Sequence, residues 1–159
     1  MPLTAGHVAK VNNRRFPMND VVLASPRLTS YRVEGRDRTS FAYEFFGSTL
    51  LIHGVASVFG FMRKLAPTAP AVYGWTFHRV TNGAYYMAPV LPGAVRLQVE
   101  GNGFDGFMSA DAAGIAVTLF ALGALAWDTS DTRIVDLYHL LRDFACAHAE
   151  ASEILAAID

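Results

Sequence analysis

The sequence predicts a single α+β domain, in which a small antiparallel sheet of about three to four strands from Val72 to Glu100 packs with about four helices. Two observations predict this class. The strand patterns fall together in that stretch while the helical patterns lie before and after it, which is typical of α+β folds rather than of parallel doubly wound sheets. The segment from Ala112 to Trp127 has no charged residue. A helix there has no face suited to water, so it must be buried nearly all round as the centre of the core.

Length and composition fit one domain. The chain has 159 residues and is 52% hydrophobic, which is enough for one sizeable core and too little for two. A formal net charge of -1 gives no whole-molecule field that would attract or imitate nucleic acid. The single cysteine, Cys146, excludes an internal disulfide, and its position on an apolar helix favours a packed thiol over a nucleophile. A reducing cytoplasm fits this cysteine usage.

The first 39 residues are predicted to be a basic leader. They hold seven Lys or Arg residues against three acids, and they lack the apolar run of a signal peptide. A basic arm can bind phosphates by counterion release, but the interleaved aromatic residues of a single-strand binder are few here. We therefore expect a solvated, partly ordered leader at 1–39 and a folded domain at 40–159.

The first long apolar element runs from Phe45 to Met62, an 18-residue span without formal charge. Together with Ala112 to Trp127 it raises the possibility of a membrane protein. The first span is interrupted by Gly, Ser, Thr and His, and the second has 16 residues where about 20 are needed to cross hydrocarbon. Buried helices are therefore favoured, and no membrane contact is expected. Pro67 and Pro70 end the first helix.

A β-hairpin is predicted next, from Val72 to Thr81 and from Ala84 to Ala88, around an Asn82-Gly83 turn. Asn-Gly between aromatic and β-branched runs is the strongest short hairpin signal, since both turn positions need positive φ. A two-residue turn places His78 opposite Met87, as a sheet histidine rather than a ligand.

A third strand, Ala94 to Glu100, alternates cleanly between apolar and polar residues. Val95, Leu97 and Val99 are expected to face inward. This pattern suits an antiparallel strand with one face in water.

Three glycines after this strand, Gly101, Gly103 and Gly106, spell the dinucleotide-binding pattern G-x-G-x-x-G. A dinucleotide site needs a helix that begins inside the motif and a second parallel strand after it. Here Ser109 is the expected N-cap, Asp111 in the first turn suits the helix dipole, and no second strand follows. We expect the glycines to supply positive φ angles in a turn, and no cofactor to bind.

The last part of the chain predicts two helices. An apolar stripe at three- and four-residue spacing marks the first one; it comprises Ile134, Leu137, Tyr138, Leu141, Phe144 and Ala145. Opposite it, Asp136, His139 and Asp143 share a face and could hold a metal, but such geometry is common on solvated helices and no metal site is expected. A short helix from about Glu150 to Ile158 completes the chain.

Several separate blocks resemble, in order, the plasmid antirestriction proteins of the KlcA/ArdB family. The blocks are Phe46-Gly47 with Gly54 and Phe61 to Leu65, Trp75, Asn82-Gly83, Tyr86 to Pro89, Gly101 to Phe104, Ser109 to Ile115, Thr118 to Leu122 and Ala156 to Asp159. The resemblance spans about Phe41 to Asp159 and leaves the leader outside. It implies a non-enzymatic cytoplasmic protein of bacteria that protects incoming mobile DNA by inhibiting host type I restriction endonucleases.

A second class of function, a small-molecule-binding or hydrolytic domain, would use the Gly101 to Ser109 loop. Its chemistry would come from Asp105, Ser109 and Tyr85 or Tyr86. However, the sequence has no recognisable nucleophile elbow, no His-Glu-x-x-His and no paired cysteines. No catalytic residue is therefore predicted.

The expected partner-binding surface is the 101–108 loop with the adjoining hairpin end, because loops on rigid scaffolds often carry function. Its candidate residues are Asn102, Phe104, Asp105, Phe107 and Asn82. The two phenylalanines are either plugs that return to the core or anchors for a partner.

The expected partner is the type I restriction-modification machinery, reached directly or indirectly by a protein whose favoured state is a monomer. Strong nucleic-acid binding is not expected. DNA mimicry would need carboxylates spaced like phosphates, about one negative charge per 1.7 Å of duplex axis. From Asp105 to Asp159 nine acids and two arginines are interleaved with apolar residues, so the sequence argues against a DNA mimic.

Overall fold

The computed structural model describes residues 26–159, so most of the predicted leader lies outside the described residues. The described chain contains five strands and four helices. In chain order these are β1 (Ser30–Arg32), α1 (Asp37–Leu65), β2 (Trp75–Val80), β3 (Tyr85–Pro89), β4 (Val95–Val99), β5 (Phe104–Met108), α2 (Ala110–Thr129), α3 (Thr132–Ala147) and α4 (Ala151–Ile158). The predicted α+β class is confirmed.

The strands form two antiparallel sheets. One sheet has the order β1-β2-β3 and the other consists of β4 and β5. The three predicted strands between Val72 and Glu100 are present as β2, β3 and β4, while β1 and β5 were not predicted. Strand β1 has three residues, too few to show alternation, and Gly106 interrupts the apolar pattern of β5. The segment that we expected to be a loop is therefore largely a strand.

The turn between β2 and β3 is one residue longer than predicted. The Val80 amide donates to the Ala84 carbonyl at 2.8 Å, so three residues, 81–83, form the loop. Gly83 supplies the positive φ, +93°, that ends such a turn. The extra residue shifts the register, so His78 lies opposite Tyr86 and not opposite Met87.

Helix α2 is the centre of the core, as its lack of charge predicts. It contacts β3, α1, α3 and α4, and eleven of its twenty residues are buried. The predicted N-cap is confirmed: the Ser109 hydroxyl accepts a hydrogen bond from the Ala112 amide at 3.1 Å. Near its end the helix leaves one large apolar side chain exposed: Trp127 is 88% exposed.

Helix α2 also covers the free edge of β3. A Cβ on Gly114 would lie 2.5 Å from Ala88 Cα and 2.6 Å from the Met87 carbonyl oxygen, so only glycine permits this approach. Four residues further on, the Thr118 hydroxyl accepts from the Met87 amide at 3.3 Å and lies 3.4 Å from its carbonyl oxygen. An uncovered strand edge would leave the Met87 amide and carbonyl unpaired, or free to pair with another chain. Helix α2 therefore protects the edge of β3.

Helix α1 begins earlier than predicted and is interrupted at Gly47, which has φ +75° and ψ 170°. The interruption turns the Phe46 ring onto Gly54, where a Cβ would collide with the ring. The Arg133 guanidinium of α3 donates to the Glu44 carbonyl close to this break. The two parts of α1 are thus held by aromatic packing and by a hydrogen bond from another helix.

By length and composition alone, α1 and α2 could each span a membrane. In α2, 61% of the apolar window is buried inside the protein, as expected of a core helix, and in α1 28% is buried. A core helix passes the same test, so the composition of these helices is weak evidence for a membrane.

Helix α3 buries its predicted apolar stripe except for Tyr138, which is half-buried. The helix is capped by Asp131, whose carboxylate accepts from the Arg133 amide at 2.9 Å. Cys146 lies on the exposed side of α3, so the prediction of a packed thiol is wrong. The thiol belongs to the water-facing side because Phe144 and Ala145 take the buried positions of that turn. Within residues 26–159, no three His, Cys, Asp or Glu side chains come together as metal ligands, Asp136, His139 and Asp143 included.

Candidate partner-binding surface

The β4–β5 hairpin has two chemically different faces, as alternation along a strand requires. In the register of the hairpin, Arg96 lies opposite Phe107 and Gln98 lies opposite Asp105. These four side chains form the outer face, which is half-buried to exposed. The inner face packs on the core through Val95, Leu97, Val99 and Met108, all buried.

The two phenylalanines of β5 lie on opposite faces. Phe104 is half-buried against the core, and its ring lies over Gly106, where a Cβ would be 2.8 Å from the Phe104 Cζ atom. Phe107 is 64% exposed on the outer face. The contacts of Phe104 are those of a plug, whereas Phe107 is the aromatic ring that a partner could reach.

The three glycines of the G-x-G-x-x-G pattern therefore have different roles. Gly103 has φ +74° in the β4–β5 turn, as we expected of all three. Gly106 instead makes room for the Phe104 ring. The expectation of positive φ holds for Gly103 and is wrong for Gly101 and Gly106.

Asp105 is engaged by its neighbours on β4. Its two carboxylate oxygens accept hydrogen bonds from Arg96 Nε at 2.7 Å and Nη2 at 2.6 Å, and Gln98 Nε2 lies 3.3 Å away. The hydrogen-bonded Arg96 guanidinium holds the pKa of Asp105 below its ordinary value. A carboxylate that is ionised and already paired in this way is a poor general acid or base.

The two asparagines of the predicted surface tie their turns to helices. Asn102 donates to the carbonyls of Ala157 at 3.0 Å and Ala156 at 3.2 Å, in the last turn of α4. Asn82 donates to the Leu140 carbonyl of α3 at 2.8 Å. Each also accepts, through Oδ1, from a backbone amide two residues on. Their side-chain amides position the two hairpin turns, and their roles toward a partner stay a prediction.

A polar cluster beside the N-terminus of α2 was not predicted. The Asp111 carboxylate accepts from the Tyr86 hydroxyl at 2.9 Å and contacts His148 Nε2 at 3.2 Å. The Glu150 amide donates to His148 Nδ1 at 3.0 Å, which places the imidazole proton on Nε2, toward Asp111. Burial raises the pKa of the Tyr86 hydroxyl, so this group stays a hydrogen-bond donor.

Ser109 is also fully used. Its hydroxyl donates to Glu150 while it caps α2, and its amide donates to Glu150 Oε1 at 2.8 Å. No hydrogen bond joins Ser109 to a histidine or to Asp105 among the described residues. The Tyr85 ring stacks on the Phe45 ring with centroids 5.3 Å apart, on the other side of β3 from the Tyr86 ring. The structure thus does not assemble the residues of the hydrolytic alternative into a nucleophile and its base.

His78 belongs to the same side of the sheet. Its ring stacks on Tyr86 with centroids 4.5 Å apart, and Nε2 lies 2.9 Å from the Thr76 hydroxyl. Burial lowers the pKa of His78, although the Asp111 carboxylate opposes this effect. The neutral ring is packed as part of the sheet.

These contacts describe an α+β protein in which the Asn82 and Asn102 side chains hydrogen-bond the hairpin turns to helices α3 and α4. The outer face of the β4–β5 hairpin remains half-buried to exposed. Comparison with known proteins identifies its class. Residues 73–159 match a family model described as antirestriction protein. Antirestriction protein KlcA of Escherichia coli is 43% identical over 148 residues, which covers 89% of this chain and 100% of KlcA. A second Escherichia coli KlcA is 40% identical over 136 residues, with 83% and 95% covered.

A solved structure agrees with these matches. It is 42% identical, has a TM-score of 0.77, and the match covers 85% of this chain and 96% of the solved one. The study of that structure describes a novel fold for KlcA and ArdB, with antirestriction activity against Type I DNA restriction systems in vivo but not in vitro. The chain belongs to the antirestriction protein family.

The similarity to KlcA covers more of the chain than the blocks named above, which begin after residue 40. An alignment that covers 89% of the chain exceeds residues 40–159, so it extends into the first 39 residues. The expectation that the leader lies outside the resemblance is therefore wrong.

Proposed function

We propose that this protein protects incoming mobile DNA, such as a plasmid, by blocking host type I restriction endonucleases in the bacterial cytoplasm. The observation that carries the proposal is the match to KlcA over the whole length of that relative. The TM-score of 0.77 supports it, because the solved relative shares the fold as well as the sequence.

Non-enzymatic action is the second part of the proposal. It is supported by the hydrogen bonds that the polar side chains near the loop already make. Ser109 caps α2, Asp105 pairs with Arg96, and Asp111 accepts from the Tyr86 hydroxyl. Among the described residues no hydrogen bond joins these three side chains to one another, so they do not form a nucleophile with its own base and acid. We expect the purified protein to be a monomer that carries no nucleotide or metal. A thermal-shift screen in which NAD, ATP or a divalent cation raises Tm by several degrees would contradict this part.

We do not expect the protein to act as a mimic of DNA. Asp105, Asp159 and Glu44 each form an ion pair with an arginine. A DNA mimic needs an unneutralised row of negative charge at phosphate spacing. With a whole-chain charge of -1, the protein is expected neither to mimic nor to bind nucleic acid strongly. An indirect route to the restriction enzyme fits the activity described for KlcA and ArdB in vivo but not in vitro.

Phage plating on restricting cells tests the function. Unmodified phage should plate with higher efficiency on a type I restricting host when the protein is expressed. The same phage on a host without restriction, and modified phage on the restricting host, are the controls and should show no change. Equal plating of unmodified phage with and without the protein would reject the proposal.

Competition with DNA tests the mechanism separately. Purified protein at stoichiometric amounts should leave duplex DNA bound to a purified type I enzyme. Displacement of the DNA, abolished by high salt, would show mimicry and would overturn this part of the proposal while leaving protection of phage intact.

A further inference from the structure

An open groove lies between the C-terminal part of α1 and the start of β2. Its volume is about 610 Å³. The side chains that define it are Phe59, Met62, Arg63, Val72, Tyr73 and Trp75, and the backbone between them passes through Pro67 and Pro70. Small-molecule sites are typically clefts of about 300–1,000 Å³ with mainly apolar walls and few polar groups. The groove fits this description.

Its walls are held in place by the core. The rings of Phe59 and Trp75 pack with centroids 4.8 Å apart, and Met62, which also lines the groove, is buried. Tyr73, which also lines the groove, is 95% exposed. Pro67 and Pro70 restrict the backbone between α1 and β2, which forms one wall of the groove. A ligand would therefore lose less free energy in ordering this segment on binding.

One charge marks the groove. Among residues 26–159, Arg63 is the only charged residue that lines it, and none of the lining residues is an acid. Among the described residues, Arg63 makes neither an ion pair nor a side-chain hydrogen bond, whereas Arg79, Arg96 and Arg142 each pair with an acid. A guanidinium in an apolar groove that has no acid in its lining is suited to a carboxylate, which it can bind through two parallel hydrogen bonds.

We propose that this groove binds a small amphipathic organic anion, with its apolar body against Phe59 and Trp75 and its carboxylate on Arg63. One cation matches one anionic group, whereas a nucleic-acid strand requires a series of cations along its backbone. The volume suits a ligand of small-molecule size. The site goes beyond the antirestriction function and does not depend on it.

Tryptophan fluorescence provides a direct test. The chain has two tryptophans, and Trp127 is 88% exposed outside the groove, so Trp127→Phe leaves Trp75 as the sole reporter. In this background we expect octanoate to give a saturable change in Trp75 fluorescence. Octanol, which has the same chain without the charge, should bind more weakly, and octylammonium should bind most weakly.

Arg63→Gln isolates the role of the charge. It should weaken octanoate binding by about tenfold or more, since a hydrogen bond to a charged group is lost, and should leave octanol binding unchanged. Lys64→Gln is the matched control, because Lys64 is the adjacent exposed cation and does not line this groove. Chemical shifts of the Met62 methyl group give a second measurement of binding that does not rely on fluorescence.

Three outcomes would overturn the proposal: no saturable response, equal affinity for octanoate and octanol, or equal loss of octanoate binding in both variants. Saturable binding of a single-stranded oligonucleotide that excludes octanoate would also overturn it, in favour of a nucleic-acid site. Since these measurements use purified protein, a negative result leaves the phage plating assay and its conclusion untouched.

Discussion

Helix α2 and strand β3 meet backbone to backbone at Gly114, whereas the outer face of the β4–β5 hairpin presents Arg96, Asp105 and Phe107 away from the core. In the first region the side chains are buried, and the Thr118 hydroxyl forms a hydrogen bond with the edge of the strand. In the second region the polar side chains pair with one another near water. In a closely packed core a small change in side-chain shape changes the free energy of unfolding strongly. On a solvated face the same change has a small effect. Substitutions in the two regions should therefore differ in size and in kind.

The largest effect is expected from Gly114→Ala. The added Cβ would lie 2.5 Å from Ala88 Cα, and backbone cannot move aside as a side-chain end can. We expect a loss of about 3 kcal/mol or more in the free energy of unfolding, measured by urea denaturation. Gly123→Ala on the same helix is the control, since its nearest contact, Tyr138 Cε2, is at 3.8 Å. The control should be neutral or stabilising by up to about 1 kcal/mol. Equal effects would show that α2 does not pack closely on β3.

Thr118→Val should have the next largest effect. It keeps the shape of the side chain but leaves the Met87 amide and carbonyl without the Thr118 hydroxyl. A buried unsatisfied polar group costs about 1–3 kcal/mol. Thr118→Ser retains the hydroxyl and separates hydrogen bonding from packing, so it should lose less. Faster amide hydrogen exchange at Met87 in Thr118→Val would locate the effect, and unchanged exchange would contradict it.

Phe104→Ala and Phe107→Ala compare the two faces of one strand. Phe104 is half-buried, so we expect about 2 kcal/mol of destabilisation, below the about 3–5 kcal/mol of a fully buried phenylalanine. Phe107 is 64% exposed and should change stability by less than about 0.5 kcal/mol. Thermal melts and phage plating should be measured together. Loss of protection in Phe107→Ala with an unchanged Tm would support a partner surface on the outer face.

The same pair can also locate the surface elsewhere. Loss of protection in Phe104→Ala without a fall in Tm would make Phe104 the anchor. Full protection in both variants would remove the aromatic rings of β5 from the partner surface.

The smallest effect is expected from Asp105→Asn. Because Arg96 lowers the pKa of Asp105 in the folded protein, the pair stabilises the fold above the unfolded pKa of about 3.8, and this contribution is lost as the pH falls through the lower folded value. The variant should therefore have a slightly lower Tm than the parent at neutral pH, and the difference should vanish in strong acid or high salt. Glu100→Gln, an exposed acid without an ion pair among the described residues, is the control. A difference that persists in acid would show that the ion pair is not its cause.

Local patterns in the sequence predicted most of the elements. The uncharged run identified α2, Ser109 identified its start, and the apolar stripe identified α3. These signals are reliable because each reflects a local property: burial around a helix, a cap within one turn, or one face of a helix. The errors were also local. Asn82-Gly83 indicated a hairpin but not the number of residues in its turn. The three glycines of the G-x-G-x-x-G pattern indicated a loop where β5 is present.

The candidate surface was predicted in position but not in structure. The sequence selected the segment around Phe104 and Phe107, yet only the pairing of β4 with β5 shows which ring faces the core. Asn102 and Asn82 carried a turn signal, while their bonds to the carbonyls of α4 and α3 join residues more than fifty positions apart.

By itself, then, the sequence determined the α+β class, the central helix and, through its resemblance to relatives, the antirestriction family. Only the tertiary structure decided that Tyr86, Asp111 and His148 meet, and that Arg63 and Trp75 line the same groove. The physical reason is that periodicity records which side of an element is buried and not what it is buried against. Contacts between distant residues follow from how the elements pack, and that packing depends on the shapes of many side chains at once.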